Sequence, residues 1–281
     1  MAELRPSALV ARATSALGSP AEARTLVAHV LGVEATGLLL APDADAAATH
    51  ALDALTARRL AGEPLQHLTG VAPFRHTIVR VGPGVFIPRP ETEVMTGWVI
   101  DHLDALGRPA RVVELCAGSG AISRAIATEA PGHEQWAVER EDAAVGYLLA
   151  NLADTAVEVV HDDMADALPE LDACVDVVVV NPPYIPLTEY EGVPAEVRDH
   201  DPAEALFSGP DGLDAMRVVA RVAARLLAPG GWVAAEHADA QGESAPAIFV
   251  AHGAWDRISD HRDLTGRPRF VTARRTGRMA P

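Results

Sequence analysis

The sequence predicts an open, doubly wound α/β sheet with its ligand at the carboxyl ends of the strands, preceded by a small helical domain. Three observations carry that expectation. From Arg111 onward short apolar runs alternate with helical periodicity. Residues 1–68 instead read as short Ala- and Leu-rich amphipathic helices. Between the two, residues 67–90 change texture to β-branched and aromatic residues broken by Gly and Pro.

The chain has 281 residues, 49% of them hydrophobic and 22% charged, which supplies a real core and argues against disorder. Its length suits two domains. No apolar run approaches the roughly 18–20 residues that span a bilayer, and MAELRPSALVARATSALG lacks a basic-then-apolar leader pattern, so a cytoplasmic protein with no membrane partner is expected. Cys116 and Cys174 lie in or near apolar strand-like segments without CxxC spacing; both are read as packed, reduced thiols. With 23 basic against 39 acidic residues the formal net charge is −16, a field that opposes stable nucleic-acid binding and favours a protein or small-molecule substrate.

In chain order, Ser19-Pro20-Ala21-Glu22 has the form of a capping box with proline at the first helical position, followed by helical periodicity over Ala23 to Gly32. Ala46 to Ala61 predicts another helix, with Arg58 and Arg59 at the end where the helix dipole favours cations. Residues 69–90 are expected to form a hairpin and linker, which places the main domain at 91–281. There RVVEL, QWAVE, VEVVH, DVVVVN and WVAAE read as strands, separated by helices at Ala121–Glu129, Asp142–Leu152 and Asp211–Leu227. Pro229-Gly230-Gly231 reads as a turn, and Ala254–Ile258 and Arg269–Ala273 as two final strands.

The candidate site residues stand where strands end. RVVEL runs into Glu114-Leu115-Cys116-Ala117-Gly118-Ser119-Gly120, a loop whose glycines admit close backbone approach by a nucleotide-like ligand. It lacks the full G-x-G-x-x-G pattern, and the chain has no phosphate-binding P-loop. Glu139, ending the second strand, is placed to accept hydrogen bonds from both ribose hydroxyls of an adenosine-bearing ligand. After the third strand, Asp163 suits an adenine amino group and Met164 the ring face. The His161-Asp162-Asp163 run has no further spaced ligands, so no metal is expected. Asn181-Pro182-Pro183-Tyr184 follows the most apolar strand; its prolines enforce an extended turn without N–H groups and leave carbonyls and the Asn side chain facing a pocket. An NH2 group suits this turn, its two hydrogens accepted by the Asn181 side-chain oxygen and the Pro182 carbonyl, with Tyr184 over the amide plane.

Glu114 to Gly120 followed by Glu139 resembles the class I S-adenosylmethionine methyltransferases, and Asn181 to Tyr184 matches the motif of their amino-group N-methylating members. Phe86-Ile87-Pro88-Arg89-Pro90-Glu91-Thr92-Glu93 is similar to the interdomain segment of the release-factor glutamine methyltransferases, the PrmC/HemK family. Gly62 to Gly70, Gly209 to Asp214, Glu236-His237 and Arg262 to Arg267 extend the resemblance over nearly the whole chain. It implies a Rossmann-like methyltransferase sheet and a helical substrate-recognition domain over residues 1–68. It also implies N5-methylation of glutamine in the Gly-Gly-Gln loop of peptide-chain release factors, with S-adenosyl-L-methionine consumed and S-adenosyl-L-homocysteine released. Catalytic roles then fall to Asn181, Pro182, Pro183 and Tyr184, cofactor contacts to Glu114, Cys116, Ala117, Gly118, Ser119, Gly120, Glu139, Asp163, Met164 and Asn181, and substrate contacts to Phe86, Arg89, Pro90 and Thr92. The chain departs from the family in having Cys116 where glycine usually opens the loop, Glu139 where Asp is frequent, and Met164 where an aromatic residue is common. Three alternatives remain: a ribosomal-protein glutamine methyltransferase, a nucleic-acid adenine-N6 methyltransferase acting on a flipped base, and a non-enzymatic cofactor-binding scaffold.

Overall fold

The computed structural model describes residues 4–277, and spatial contacts divide it into two units. One comprises residues up to Val71 together with Pro194–His200; the other comprises Ala72–Val193 and the chain from Asp201 onward.

The first unit is helical. Helices Pro6–Leu17, Pro20–Leu31, Ala46–Leu60 and Leu65–Thr69, with a 3-10 turn at Ala35–Leu40, bury Leu9, Leu26, Val27, Leu52 and Leu68 in a common core. Proline opens the first two helices, where its missing N–H goes unneeded. Ser19 Oγ accepts from the Glu22 N–H at 3.3 Å, but the reciprocal half of the expected capping box is absent. Glu22 instead takes both Arg59 Nε (2.8 Å) and Nη2 (3.1 Å), because a bidentate charge-assisted pair outcompetes a neutral backbone donor. Arg59 also donates through Nη1 to Glu196 Oε2 at 2.8 Å, holding the Pro194–His200 segment on the helices. Arg59 is thus a tertiary clamp, beyond the helix-end cation expected of it.

A two-stranded hairpin, β1 (Val71–Phe74) and β2 (Thr77–Arg80), opens the second unit, which takes β1 from Ala72 onward. Strands β3 (Arg111–Leu115), β4 (Glu134–Glu139), β5 (Glu158–His161), β6 (Val175–Val180), β7 (Leu227–Glu236), β8 (Trp255–Arg262) and β9 (Pro268–Arg275) form one sheet in the order β5-β4-β3-β6-β7-β9-β8. The first five are parallel, while β9 and β8 add an antiparallel edge. This is the predicted doubly wound α/β class. Alternation along β6 shows why both faces are covered: Val177 and Val179 pack with helices Thr92–Leu106 and Ala121–Glu129, while Val178 and Val180 pack with helix Asp214–Leu226. Strand order reverses between β3 and β6, the point where open α/β sheets place ligands.

Three local expectations are corrected. The helix expected from Asp211 starts at Asp214, because Asp211 Oδ1 accepts the Leu213 N–H (3.1 Å) in a local turn and Gly212 adopts φ +74°. Pro229-Gly230-Gly231 does not end a helix before a separate strand; it is a bulge inside β7, which pairs with β6 through Leu227 before it and Trp232 after it. Gly231 is required there, since a Cβ would lie 2.9 Å from the Asp176 carbonyl. Cys174 is exposed rather than packed, because it stands in the turn before β6, after Ala173 at φ +56°. Among the described residues no helix is long and apolar enough to cross a membrane.

Replacing Arg59 by Leu should free the 194–200 segment while leaving the apolar helix core intact. Limited proteolysis is expected to cleave within 194–200 several-fold faster in Arg59→Leu than in the wild type, with little change in helical circular dichroism.

Candidate active site

Parallel register places the site. Leu115 and Val180 are paired across β3 and β6, so Cys116 and Asn181 leave the sheet side by side at its carboxyl edge. Val138 pairs with Leu115 and His161 with Glu139, which brings Glu139 and the Asp163-Met164 turn to the same edge.

The glycine loop is sharply turned. Cys116, Gly118 and Gly120 all have positive φ, at 53°, 55° and 78°. That conformation costs a non-glycine residue about 1–2 kcal/mol, and Cys116 bears it where the resembling family carries glycine. In return its sulfur lies 3.6 Å from Met164 Sδ, and the half-buried thiol packs on the sheet core. Burial pushes that thiol's pKa up, so it is not poised as a nucleophile. Ala117 and Ser119 are buried, while open space surrounds the position of a Gly118 Cβ.

Glu114, the penultimate residue of β3, is tied to the helix that follows the loop. Its buried carboxylate accepts both the N–H (2.8 Å) and the hydroxyl of Ser123, capping helix Ala121–Glu129 from outside that helix. Burial outweighs these two bonds and pushes the carboxyl up to about 8. Glu139 faces the loop: Oε2 accepts the Gly118 N–H (2.7 Å), and Oε1 accepts the N–H groups of Arg140 (2.7 Å) and Glu141 (2.9 Å). A carboxylate offers about four acceptor positions, so this arrangement leaves one, on Oε2, for a ligand hydroxyl. Two ribose hydroxyls require one of those backbone bonds to yield. Asp163 accepts the Ala165 N–H (2.9 Å) and pairs with Arg140 (3.2 Å), which together hold its carboxyl below the usual range. His161 meets the Arg140 carbonyl (3.0 Å), separately from Asp162 and Asp163.

At the end of β6, Asn181 Nδ2 donates to Thr92 Oγ1 at 3.3 Å, orienting the amide by its donor end and leaving Oδ1 as its acceptor end. Thr92, the first residue of helix Thr92–Leu106, is buried, and its placement makes it a support for Asn181. Tyr184 donates its hydroxyl to Glu236 Oε1 (3.2 Å), and its carbonyl accepts from Gln241 Nε2 (3.0 Å). Gly212 lies so close to that carbonyl that a Cβ would collide with it, which explains the glycine in Gly209-Pro210-Asp211-Gly212. Past Tyr184, Ile185 exchanges backbone bonds with Leu206 (2.8 Å) and Ser208 (3.0 Å), fixing where the turn leads.

Glu236 ends β7 with its side chain fully enclosed, and its Oε2 has no hydrogen-bond partner among the described residues. Burial pushes this carboxyl up to about 7, against the Thr92 hydroxyl, the Arg269 charge and the Tyr184 hydroxyl. Burial also raises the Tyr184 phenol. Beyond the family resemblance, the sequence marks Glu236 only as the acidic residue that ends the apolar run WVAAE.

In the segment before Thr92, Arg89 pairs with the enclosed Asp201 (2.5 Å) and stacks its guanidinium 5.0 Å from the Phe86 ring. Arg89 and Phe86 are thereby mutually fixed, whereas Pro90 is exposed in the turn that opens the helix.

Two family models match the chain: the PrmC N-terminal domain over residues 9–70 and the methyltransferase small domain over residues 76–191. A release factor glutamine methyltransferase of Streptomyces coelicolor is 49% identical over 95% of this chain and 96% of its own length. Another, of Mycolicibacterium smegmatis, is 45% identical over 99% of this chain and 100% of its own. A 4-amino-L-phenylalanine/4-methylamino-L-phenylalanine methyltransferase of Streptomyces pristinaespiralis is 42% identical over 72% of this chain and 70% of its own. Among solved structures, the hMettl16 catalytic domain in complex with the MAT2A 3'UTR hairpin 6 superposes with a TM-score of 0.56 at 14% identity, covering 86% of this chain and 88% of that one. A methyltransferase from Pyrococcus furiosus gives 0.50 at 16% identity, covering 71% and 89%. These two likenesses establish the fold.

Glu114 carries a pH signature. Its folded pKa of about 8 lies above the ordinary 4.5, so the folded protein binds the extra proton. The stability it contributes is full below about pH 4.5 and is lost as pH rises through about 8; Glu236, raised to about 7, acts in the same sense. Urea denaturation of Glu114→Gln is expected to show a shallower loss of stability between pH 5 and 8 than the wild type, by about the share of one group.

Proposed function

The chain belongs to the release factor glutamine methyltransferases, and from that premise we propose that it transfers a methyl group from S-adenosyl-L-methionine to N5 of the glutamine in the Gly-Gly-Gln loop of peptide-chain release factors. It is a methyltransferase acting on release-factor glutamine, at work in the cytoplasm where translation ends. The observation that carries the finer reading is the pairing of Leu115 with Val180, which sets Asn181 next to the start of the glycine loop, its amide donor end taken by Thr92.

The residues present suit the methyl donor. Gly118 has open space around it, and Glu139 keeps one acceptor position beside the Gly118 amide for a ribose hydroxyl. Asp163 and Met164 stand at the next strand end for the adenine, and Cys116 and Gly120 turn the backbone between them and Asn181. When bound, S-adenosyl-L-methionine supplies an electrophilic methyl on a sulfonium.

The chain's own task is to grip a poor nucleophile. An amide nitrogen shares its lone pair with the carbonyl, so rate comes from holding the NH2 group in line and disfavouring its planarity. Asn181 Oδ1 and the Pro182 carbonyl accept the two N–H hydrogens, Pro183 keeps the turn rigid, and Tyr184 covers the amide plane. Thr92 fixes the Asn181 amide, and Glu236 fixes the Tyr184 hydroxyl. Phe86, Arg89 and Pro90 flank the entrance to helix Thr92–Leu106 as contacts for the substrate loop, and the helices of residues 1–68 recognise the body of the release factor. Such positioning is worth up to roughly 7–11 kcal/mol in well-oriented systems; the proton that the methylated nitrogen must shed is acidic enough to pass directly to water, so no dedicated general base is required.

Incubation with labelled S-adenosyl-L-methionine tests the reading. Label is expected on purified release factor and absent from a variant with Gln→Ala in its Gly-Gly-Gln loop. Asn181→Ala should reduce turnover by about a thousandfold or more while calorimetry shows nearly unchanged cofactor binding. Labelling of DNA, of a ribosomal protein or of free 4-aminophenylalanine in preference to release factor would overturn it.

A further inference from the structure

Four consecutive residues of the glycine loop, Ala117 to Gly120, are each held by at least one hydrogen bond. Ala117 N–H donates to the Val138 carbonyl (2.9 Å), Gly118 N–H to Glu139 (2.7 Å), and Gly120 N–H to the Ala117 carbonyl (2.8 Å). The fourth pin comes from outside the strand ends: the Ser119 carbonyl accepts from Asn151 Nδ2 at 2.8 Å.

Asn151 is buried near the end of helix Asp142–Leu152, and its amide is fully engaged as a donor. The second Nδ2 hydrogen goes to the Arg80 carbonyl (2.9 Å), and Oδ1 accepts the Arg80 N–H (2.7 Å), so Asn151 pairs with the end of β2 as another strand would. The helix presents two stripes that cross at this residue. Leu148, Asn151 and Leu152 meet the loop, where a Cβ on Gly120 would lie 2.6 Å from Leu148 and 3.4 Å from Leu152. Ala143, Tyr147 and Asn151 meet the exit of the hairpin, where a Cβ on Gly82 would collide with the Tyr147 hydroxyl and one on Gly84 would lie 2.8 Å from Ala143. Neither interface has slack, and one amide serves both.

We infer that Asn151 is a positioning residue for the methyl donor: it locks the Ser119–Gly120 turn to the β1–β2 hairpin, making donor affinity depend on a hairpin that does not contribute to the strand-end cradle. This rests on the reading of the glycine loop as the donor site. No other side chain type reproduces the pattern at this length, because two donors and one acceptor are used at once. An aspartate keeps the Arg80 N–H bond but turns its negative charge toward two carbonyl oxygens, and a buried acceptor left unpaired is costly.

The experiment compares the full-length wild type with Asn151→Asp, measuring the Kd for S-adenosyl-L-homocysteine by calorimetry and steady-state kinetics with release factor. Asn151→Asp is expected to weaken donor-side binding and raise the donor KM by about tenfold or more, while kcat at saturating donor and the KM for release factor change far less. Gly82→Ala, which pushes from the hairpin side, should shift the donor Kd in the same direction. Asn151→Ala introduces no charge and decides the matter if the aspartate variant does not fold. A lowered melting temperature with wild-type donor Kd in these variants would overturn the inference and make Asn151 a packing residue. A Glu139→Ala variant that folds and keeps the wild-type donor Kd would instead sink the loop assignment itself.

Discussion

The parallel pairing of β3 with β6 is the constraint on which the rest depends. Because Leu115 and Val180 share a register, the loop that begins at Cys116 and the turn that begins at Asn181 are neighbours by backbone geometry. The register is itself enforced by burial: a one-residue slip would exchange Val177 and Val179 with Val178 and Val180, pairs that serve different cores on opposite faces. The glycine loop and the Asn-Pro-Pro-Tyr turn are thus juxtaposed by the same hydrophobic pattern that stabilises the sheet.

Around this edge the protein spends buried polar groups unevenly. Glu139 is held by three backbone N–H groups and faces the loop, whereas Glu114 and Glu236 lie in low-dielectric surroundings that lift both carboxyls into the neutral range. The two raised groups differ in purpose. Glu114 braces the helix that follows the loop through Ser123, and Glu236 braces the Tyr184 hydroxyl on the far side of the Asn-Pro-Pro-Tyr turn. Asn151 adds a neutral brace from a third direction. The loop and the turn are therefore braced by buried side chains from three sides.

Legibility in the sequence followed the range of the interactions. The strands were readable because runs such as DVVVV are apolar on both faces, and Asn181 was readable because two prolines after an apolar strand have few structural uses. The bulge at Pro229-Gly230-Gly231 was misread as a turn, since nothing local tells a glycine that admits the Asp176 carbonyl from one that reverses the chain. Pairings such as Glu22 with Arg59, Arg59 with Glu196, Thr92 with Asn181, and Asn151 with both Arg80 and Ser119 span between 32 and 137 residues. No periodicity or short motif encodes them. Cys116 was visible as a departure from glycine, but only the backbone revealed that it retains the left-handed conformation a glycine would adopt.

The exposure of Cys174 gives the molecule a built-in attachment point. It stands just before β6, at the end of the strand opposite to Asn181, roughly 23 Å away at about 3.3 Å per extended residue. The other cysteine, Cys116, is half-buried with its thiol disfavoured from ionising. A maleimide fluorophore therefore has one preferred address, in the turn that leads into β6, outside the cradle and within energy-transfer range of it, so that arrival of a labelled release factor can be followed as light.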